Sequence, residues 1–108
     1  MGRVVNAVRA SYPGAVIMLM GIGDRGQKQG TEVGSMTTAP AMVRAQREAA
    51  RATGTLFWDT RSAMGGKNAV IDWHNRGLIN SDYIHLNHKG GRELAKIFVK
   101  SLNTSISE

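Results

Sequence analysis

The sequence contains no cysteine, only two prolines and 6 % aromatic residues. Without cysteine the chain can form neither a disulfide framework nor a thiolate metal site, and it has no cysteine nucleophile. Its longest apolar run, residues 15–20 (AVIMLM), is far shorter than the roughly 20 residues that cross a bilayer, so no membrane span is predicted. No signal peptide is visible at the N-terminus, and the sequence leaves the cellular compartment unknown.

The charge is unbalanced but evenly spread. Lys and Arg number 14 against 8 Asp and Glu, which gives a formal net charge of +6. No block of five or six like charges and no basic run interleaved with aromatics is present, so no nucleic-acid partner is predicted. A basic surface of this kind still favours anionic polymers in general.

The length of 108 residues fits a single domain, in which apolar runs alternate with helical patterns. Strands separated by helices predict an α/β fold with a parallel sheet. The polar stretch 24–40 has no periodicity and is predicted as a long loop. We predict one domain over 1–102 and a disordered tail over 103–108. The predicted strands are 15–20 and 55–58, and the predicted helices are 4–11, 41–53, 68–76 and 89–102.

Two parallel strands are too few for a sheet with a buried core, because both strands would be edges. The pattern therefore predicts that the chain is the second half of a larger α/β domain. A bare sheet edge can also pair with another chain, so an oligomer could form through that edge. A non-catalytic binding or assembly domain is the corresponding alternative function.

The most informative segment is 81–91 (SDYIHLNHKGG), just before the last predicted helix. Asp82 and His85 lie three residues apart there. A carboxylate beside a histidine holds the ring in one tautomer and stabilises the imidazolium, so that the other nitrogen can accept a proton from a nucleophile. Spacing alone leaves a simpler alternative open, in which Asp82 caps a turn and His85 is an exposed loop residue.

This segment resembles the last motif block of the SGNH (GDSL-type) hydrolases, which reads Asp-x-x-His, a small polar residue and Gly before the final helix. The matching residues are Asp82-Tyr83-Ile84-His85-Leu86-Asn87, followed by Gly90 and Gly91. The order of upstream elements is similar as well. The resemblance implies the C-terminal half of a flavodoxin-like three-layer α/β/α sandwich. It also implies a serine esterase or acetylesterase with Asp82 as triad acid and His85 as general base, acting without a cofactor.

The serine block of those hydrolases has no counterpart in this chain. Gly23-Asp24-Arg25 resembles Gly-Asp-Ser, but Arg25 stands in the place of the serine. Ser35 and Ser62 lack the Gly-x-Ser-x-Gly elbow of a serine nucleophile. We therefore expect a partial carboxylic-ester hydrolase that is inactive alone, since the parts of a triad act as a unit. Its parent would act on an ester such as an acylated carbohydrate, and could be exported to the cell envelope.

Two further site hypotheses concern charged residues. Asp24 and Arg25 follow the first predicted strand on its ligand side and are predicted to contact substrate. His88 follows Asp82 and His85 at the same spacing of three, and such sets can bind zinc. No fourth ligand is evident and His88 would begin a helix, so we predict no metal site. Trp58 and Trp73 are predicted as core residues.

Overall fold

The computed structural model describes residues 2–107 and confirms an α/β fold with a parallel pair of strands. The elements are α1 (Gly2–Ser11), β1 (Met18–Met20), β2 (Gly26–Gln29), β3 (Glu32–Ser35), α2 (Ala39–Thr53), β4 (Leu56–Trp58), α3 (Thr60–Met64), α4 (Ala69–Asn75) and α5 (His88–Ser107).

The parallel sheet pairs β1 with β4, with Met18 opposite Leu56 and Met20 opposite Trp58. Between them α2 makes the crossover. Pro40 occupies its first turn, where the missing N–H costs nothing. Gly54 ends it with φ 65°, and its N–H donates to the carbonyls of Ala50 and Arg51. Both strands consequently end at the same edge of the sheet.

The stretch predicted as a long loop instead forms an antiparallel hairpin of β2 and β3. Gly30 turns the chain with φ 69°. The strands were not predicted because they are polar and mostly exposed, so they carry no apolar alternation. Gly26 starts β2 directly against Tyr83, which a Cβ would overlap, and its N–H donates to the Tyr83 carbonyl at 2.7 Å.

The main core lies between α3, α4 and the segment that follows α4. Trp73 is only 1 % exposed, and its Nε1–H donates to the carbonyl of Met64 at 3.0 Å. Trp58 is half-buried and meets the Phe98 ring edge-on at 5.1 Å. Both tryptophans therefore pack inside the fold as predicted. The buried cluster contains Met64, Ala69, Val70, Trp73, Leu78 and Ile79.

The last helix is longer than predicted. It continues through 103–107, so the tail predicted to be disordered is helical as far as Ser107, and Glu108 lies outside the described residues. Within residues 2–107 no helix combines the length and the apolar character needed to cross a membrane.

Apolar side chains are exposed along the parallel sheet of β1 and β4. Met20 in β1 and Leu56 in β4 are each 53 % exposed, and Val16 just before β1 is 82 % exposed. A parallel sheet is normally covered on both faces. This sheet therefore presents apolar surface and unpaired strand edges to its surroundings.

Candidate active site

The Asp-x-x-His segment lies in a tight loop between α4 and α5. Ile79 and Leu86 form an antiparallel bridge at its base, and Asn80 N–H donates to the His85 carbonyl at 2.9 Å. Tyr83 turns the chain at the tip with φ 58°, a left-handed backbone conformation that residues other than glycine rarely adopt. The loop therefore closes on itself, and Asp82 and His85 both lie within it.

Asp82 and His85 contact each other directly. His85 Nδ1 lies 2.6 Å from Asp82 Oδ2. The other carboxylate oxygen, Oδ1, accepts the N–H groups of Ile84 at 2.9 Å and of His85 itself at 3.0 Å. All of the carboxylate's hydrogen bonds are thus used to fix its own orientation and that of the imidazole.

These contacts determine the protonation pattern of the pair. The hydrogen bond from His85 and the two backbone N–H groups lower the pKa of Asp82 to about 2. Asp82 is then ionised at neutral pH and can only accept, so the proton of the neutral imidazole must lie on Nδ1. The lone pair is left on Nε2, which has no hydrogen-bond partner among residues 2–107. His85 is 73 % exposed, so this nitrogen is accessible.

His85 lines an open cleft of about 290 Å³ at the carboxyl ends of β1 and β4. Arg25, which is half-buried, lines the same cleft although it lies far from His85 in the sequence. Thr60 lines it too, but its hydroxyl is enclosed and has no hydrogen-bond partner among the described residues. The apolar part of the wall comes from Met64, Ile84, Leu86 and Leu94.

Asp24 lies at the wall of the same cleft, but its carboxylate is enclosed. Its side chain has 0 % exposure and forms an ion pair with Arg61 at 2.8 Å. Oδ2 also accepts the Val70 N–H at 2.9 Å, and both carboxylate oxygens lie 2.8 Å from Ser35 Oγ. These contacts join the hairpin to α3 and α4 through one enclosed carboxylate, and the predicted contact of Asp24 with a substrate stays a prediction.

Neither candidate serine is available as a nucleophile in this arrangement. Ser35 Oγ donates to Asp24 and accepts the Asn68 N–H at 2.6 Å. Ser62 Oγ donates to Asp59 at 2.9 Å, where Asp59 caps α3. Both hydroxyls therefore contact carboxylates, and within the described part of the chain neither forms a hydrogen bond with His85.

Arg61 is a residue that the sequence patterns did not single out. It is only 13 % exposed at its side chain and holds the buried carboxylate of Asp24. The sequence feature that could have pointed to Arg61 is its position, two residues after Asp59, which follows the second predicted strand. Its partner could not be identified from the sequence, because Asp24 lies 37 residues away.

Of the three residues considered as zinc ligands, Asp82 and His85 contact each other, but His88 does not join them. His88 is the first residue of α5 and is exposed. In the described range 2–107 no group of three or more His, Asp or Glu side chains is close enough to hold a metal ion. The structure offers the zinc alternative no support.

The solved structures that are similar to this chain include two esterases. One is a peptidoglycan O-acetylesterase, with a TM-score of 0.85 and 28 % identity over 98 % of this chain and 31 % of its own. The other is the esterase domain of the ORF1 protein from the zebrafish ZfL2-1 retrotransposon, with a TM-score of 0.62 and 16 % identity over 94 % of this chain and 54 % of its own. No model of a known protein family matches, and no curated protein matches.

The similarity shows that the chain has an esterase-like α/β fold. The chain spans about a third of the O-acetylesterase, at 31 % of its length, and about half of the retrotransposon domain, at 54 %. The fold therefore agrees with the esterase resemblance of the sequence.

Proposed function

We propose that this chain supplies the histidine and the aspartate of a Ser-His-Asp triad to a carboxylic-ester hydrolase of SGNH type. The observation that carries the proposal is the 2.6 Å contact between His85 Nδ1 and Asp82 Oδ2, with the opposite nitrogen accessible at a cleft. The esterase fold of both structural neighbours supports it.

In this proposal His85 Nε2 accepts the proton of a serine hydroxyl as the hydroxyl attacks the ester carbonyl. It then donates that proton to the leaving alcohol, and a water molecule releases the acyl group by the same route. Asp82 stabilises the imidazolium formed in between. Arg25 lines the same cleft, and in this proposal it contacts the substrate.

The serine and the oxyanion donors would come from another polypeptide segment that pairs with the two-stranded sheet. The exposed apolar residues Val16, Met20 and Leu56 are the surface that such a segment would cover. No metal or organic cofactor is needed for this chemistry. An acylated carbohydrate is the proposed substrate, because the first structural neighbour is an O-acetylesterase of peptidoglycan.

The test uses a chimera in which this chain replaces the matching region of that O-acetylesterase. We expect the chimera to hydrolyse a short-chain chromogenic acetyl ester. His85→Ala should abolish most of the rate, by about 10⁴-fold or more, and Asp82→Asn should lower it by about 10⁴-fold. His88→Ala is the matched control, because His88 is a nearby exposed histidine outside the pair, and its rate should be unchanged.

Chimera activity that is independent of His85 would contradict the proposal. The 108-residue chain alone is assayed in parallel. Its rate should equal that of His85→Ala, since Ser35 and Ser62 are both engaged elsewhere. Hydrolysis by the chain alone that His85→Ala removes would instead locate a nucleophile within it.

The second candidate is a non-catalytic assembly domain, which the exposed sheet surface favours. In that case the strand edges would pair with another chain and the Asp82–His85 contact would only stabilise the loop. An active chimera that depends on His85 would argue against this candidate.

A further inference from the structure

A second cavity, of about 560 Å³, lies between the β2–β3 hairpin and the segment that joins α3 to α4. We refer to it as the Arg61 cavity. It adjoins the His85 cleft, because Asp24 lines the cleft while Arg61 and Ser35, two of its three partners, line this cavity. The enclosed Asp24 side chain therefore lies between the two spaces.

The wall of the Arg61 cavity is rich in unused hydrogen-bond donors. Arg61 uses Nε to hold Asp24, but its two terminal nitrogens have no partner among residues 2–107. Lys67 forms no ion pair within that range, and the Asn68 side-chain amide nitrogen has no acceptor there. A guanidinium carries five N–H donors, so most of the Arg61 donors are free.

The lining contains no Asp and no Glu. The ion pair with Asp24 balances the charge of Arg61, so Lys67 supplies the unbalanced positive charge, and with the free N–H donors of Arg61 it makes the space favourable for an anion. Pro40 and Met36 add an apolar stretch of wall. At about 560 Å³ the cavity also lies in the size range of small-molecule sites rather than of a single-ion site.

Arg61 and Asn68 are held in place before any ligand arrives. Arg61 is fixed by its ion pair with the enclosed Asp24. Asn68 is held by two bonds to Ser35, as its Oδ1 accepts the Ser35 N–H at 3.0 Å and its own N–H donates to Ser35 Oγ at 2.6 Å. Binding therefore requires little ordering of these side chains, which lowers its entropic cost.

We propose that the Arg61 cavity binds a sugar residue that carries a carboxylate. Arg61 and Lys67 contact the carboxylate, Asn68 donates to a neighbouring oxygen, and Pro40 and Met36 pack against the ring. Binding itself does not depend on catalysis. That this sugar belongs to the acylated substrate of the His85 cleft rests on the proposed function.

The test is an NMR titration of the 108-residue chain with glucuronate, glucose and inorganic phosphate. Glucuronate should give saturable shifts in the amides of residues 35–37 and 67–68. Glucose should bind at least about tenfold more weakly, because it lacks the charge-assisted hydrogen bonds. Phosphate should also bind more weakly, because it has no sugar ring to pack against Pro40 and Met36.

Lys67→Gln should weaken glucuronate binding by about two- to fivefold, as expected for a partly exposed ion pair. Lys28→Gln is the matched control, since Lys28 is an exposed lysine outside the cavity and its loss lowers the net charge equally. Arg61→Lys keeps the charge beside Asp24 and removes the planar fork, so binding should fall by about tenfold.

Three results would overturn the inference: equal affinity for glucuronate and glucose, phosphate binding as tightly as glucuronate, or equal effects of Lys67→Gln and Lys28→Gln. Lys67 is exposed, so Lys67→Gln should fold and still test the cavity even if Arg61→Lys unfolds. An active chimera with no glucuronate binding would support the proposed function and contradict the inference about the Arg61 cavity. Glucuronate binding with an inactive chimera would support the inference and contradict the proposed function.

Discussion

At the scale of single residues, the Asp82 carboxylate combines two interpretations that the sequence left open. Its Oδ1 caps the turn by accepting two backbone N–H groups, and its Oδ2 accepts His85 Nδ1. In this loop one conformation of Asp82 therefore allows it both to cap the turn and to orient His85. The capping bonds hold the carboxylate still, and this fixes the ring that it faces.

The titration of Asp82 tests this arrangement. Its pKa lies at about 2, below the ordinary 3.8, so the pair stabilises the folded chain above about pH 4 and this contribution is lost as the pH falls through 2. Carbon-13 NMR of the carboxyl group should give a midpoint near 2. His85→Ala should raise that midpoint toward 3.8 without reaching it, because Ile84 and residue 85 still donate their backbone N–H groups.

The control for that titration is His88→Ala, which should leave the Asp82 midpoint where it is. Equal midpoints in the His85→Ala and His88→Ala variants would show that the ring does not hold the carboxylate in solution.

At the scale of elements, the start of α5 holds the site loop closed. Asn87 caps the helix through its Oδ1, which accepts the Gly90 N–H at 2.8 Å, and its side-chain amide donates to the Gly77 carbonyl at 2.6 Å. Gly90 lies against the Leu78 carbonyl so closely that a Cβ would overlap it. The first turn of α5 and the residues after α4 are therefore joined at the base of the Asp82–His85 loop.

The two adjacent glycines of α5 should respond oppositely to alanine. Gly90→Ala forces the helix away from a backbone carbonyl, which cannot give way, and should lower the free energy of unfolding by about 1–3 kcal/mol. Gly91 has nothing within 4 Å of its Cβ position, so Gly91→Ala should raise it by about 1 kcal/mol through helix propensity.

Urea denaturation of both variants measures the difference. A stabilising Gly90→Ala would mean that the contact between α5 and Leu78 is looser in solution than in the structure.

At the scale of the whole molecule, the parallel sheet of β1 and β4 leaves apolar surface uncovered. Both strands are edges, and Val16 beside β1 is 82 % exposed. The strand segments 15–20 and 55–58 contain no charged residue that would deter pairing with another strand. The chain alone should therefore associate with itself when no other polypeptide covers the sheet.

Sedimentation velocity over a range of protein concentrations measures this association. We expect the sedimentation coefficient to rise with concentration. Val16→Lys should shift it toward that of the monomer, because association would then bury a charge. Val4→Lys is the matched control, since it adds the same charge on α1, where Val4 is also exposed, and its association should match that of the original chain. A chain that stays monomeric at every concentration would contradict the prediction.

Local chemistry explains which parts of the fold were predictable. The ends of α2 follow from Pro40 and Gly54, and β4 follows from a short apolar run. The β2–β3 hairpin could not be predicted, because its polar strands are held by a contact with Tyr83 and by the Asp24 network rather than by alternation. The contacts of Asp24 could not be predicted either, as its partners Arg61 and Val70 are distant in the sequence.

The sequence by itself determined the α/β class and the local pairing of Asp82 with His85, because residues three apart in a tight turn can meet without help from the rest of the chain. Only the tertiary structure decided that Arg25 shares the cleft of His85, that Asp24 is enclosed, and that Arg61 faces a second cavity. These arrangements depend on the parallel pairing of β1 with β4. The alternation of strands and helices predicts that pairing, which brings the carboxyl ends of two distant strands to one edge. The side-chain contacts made at that edge join residues far apart in the sequence, and no local pattern encodes them.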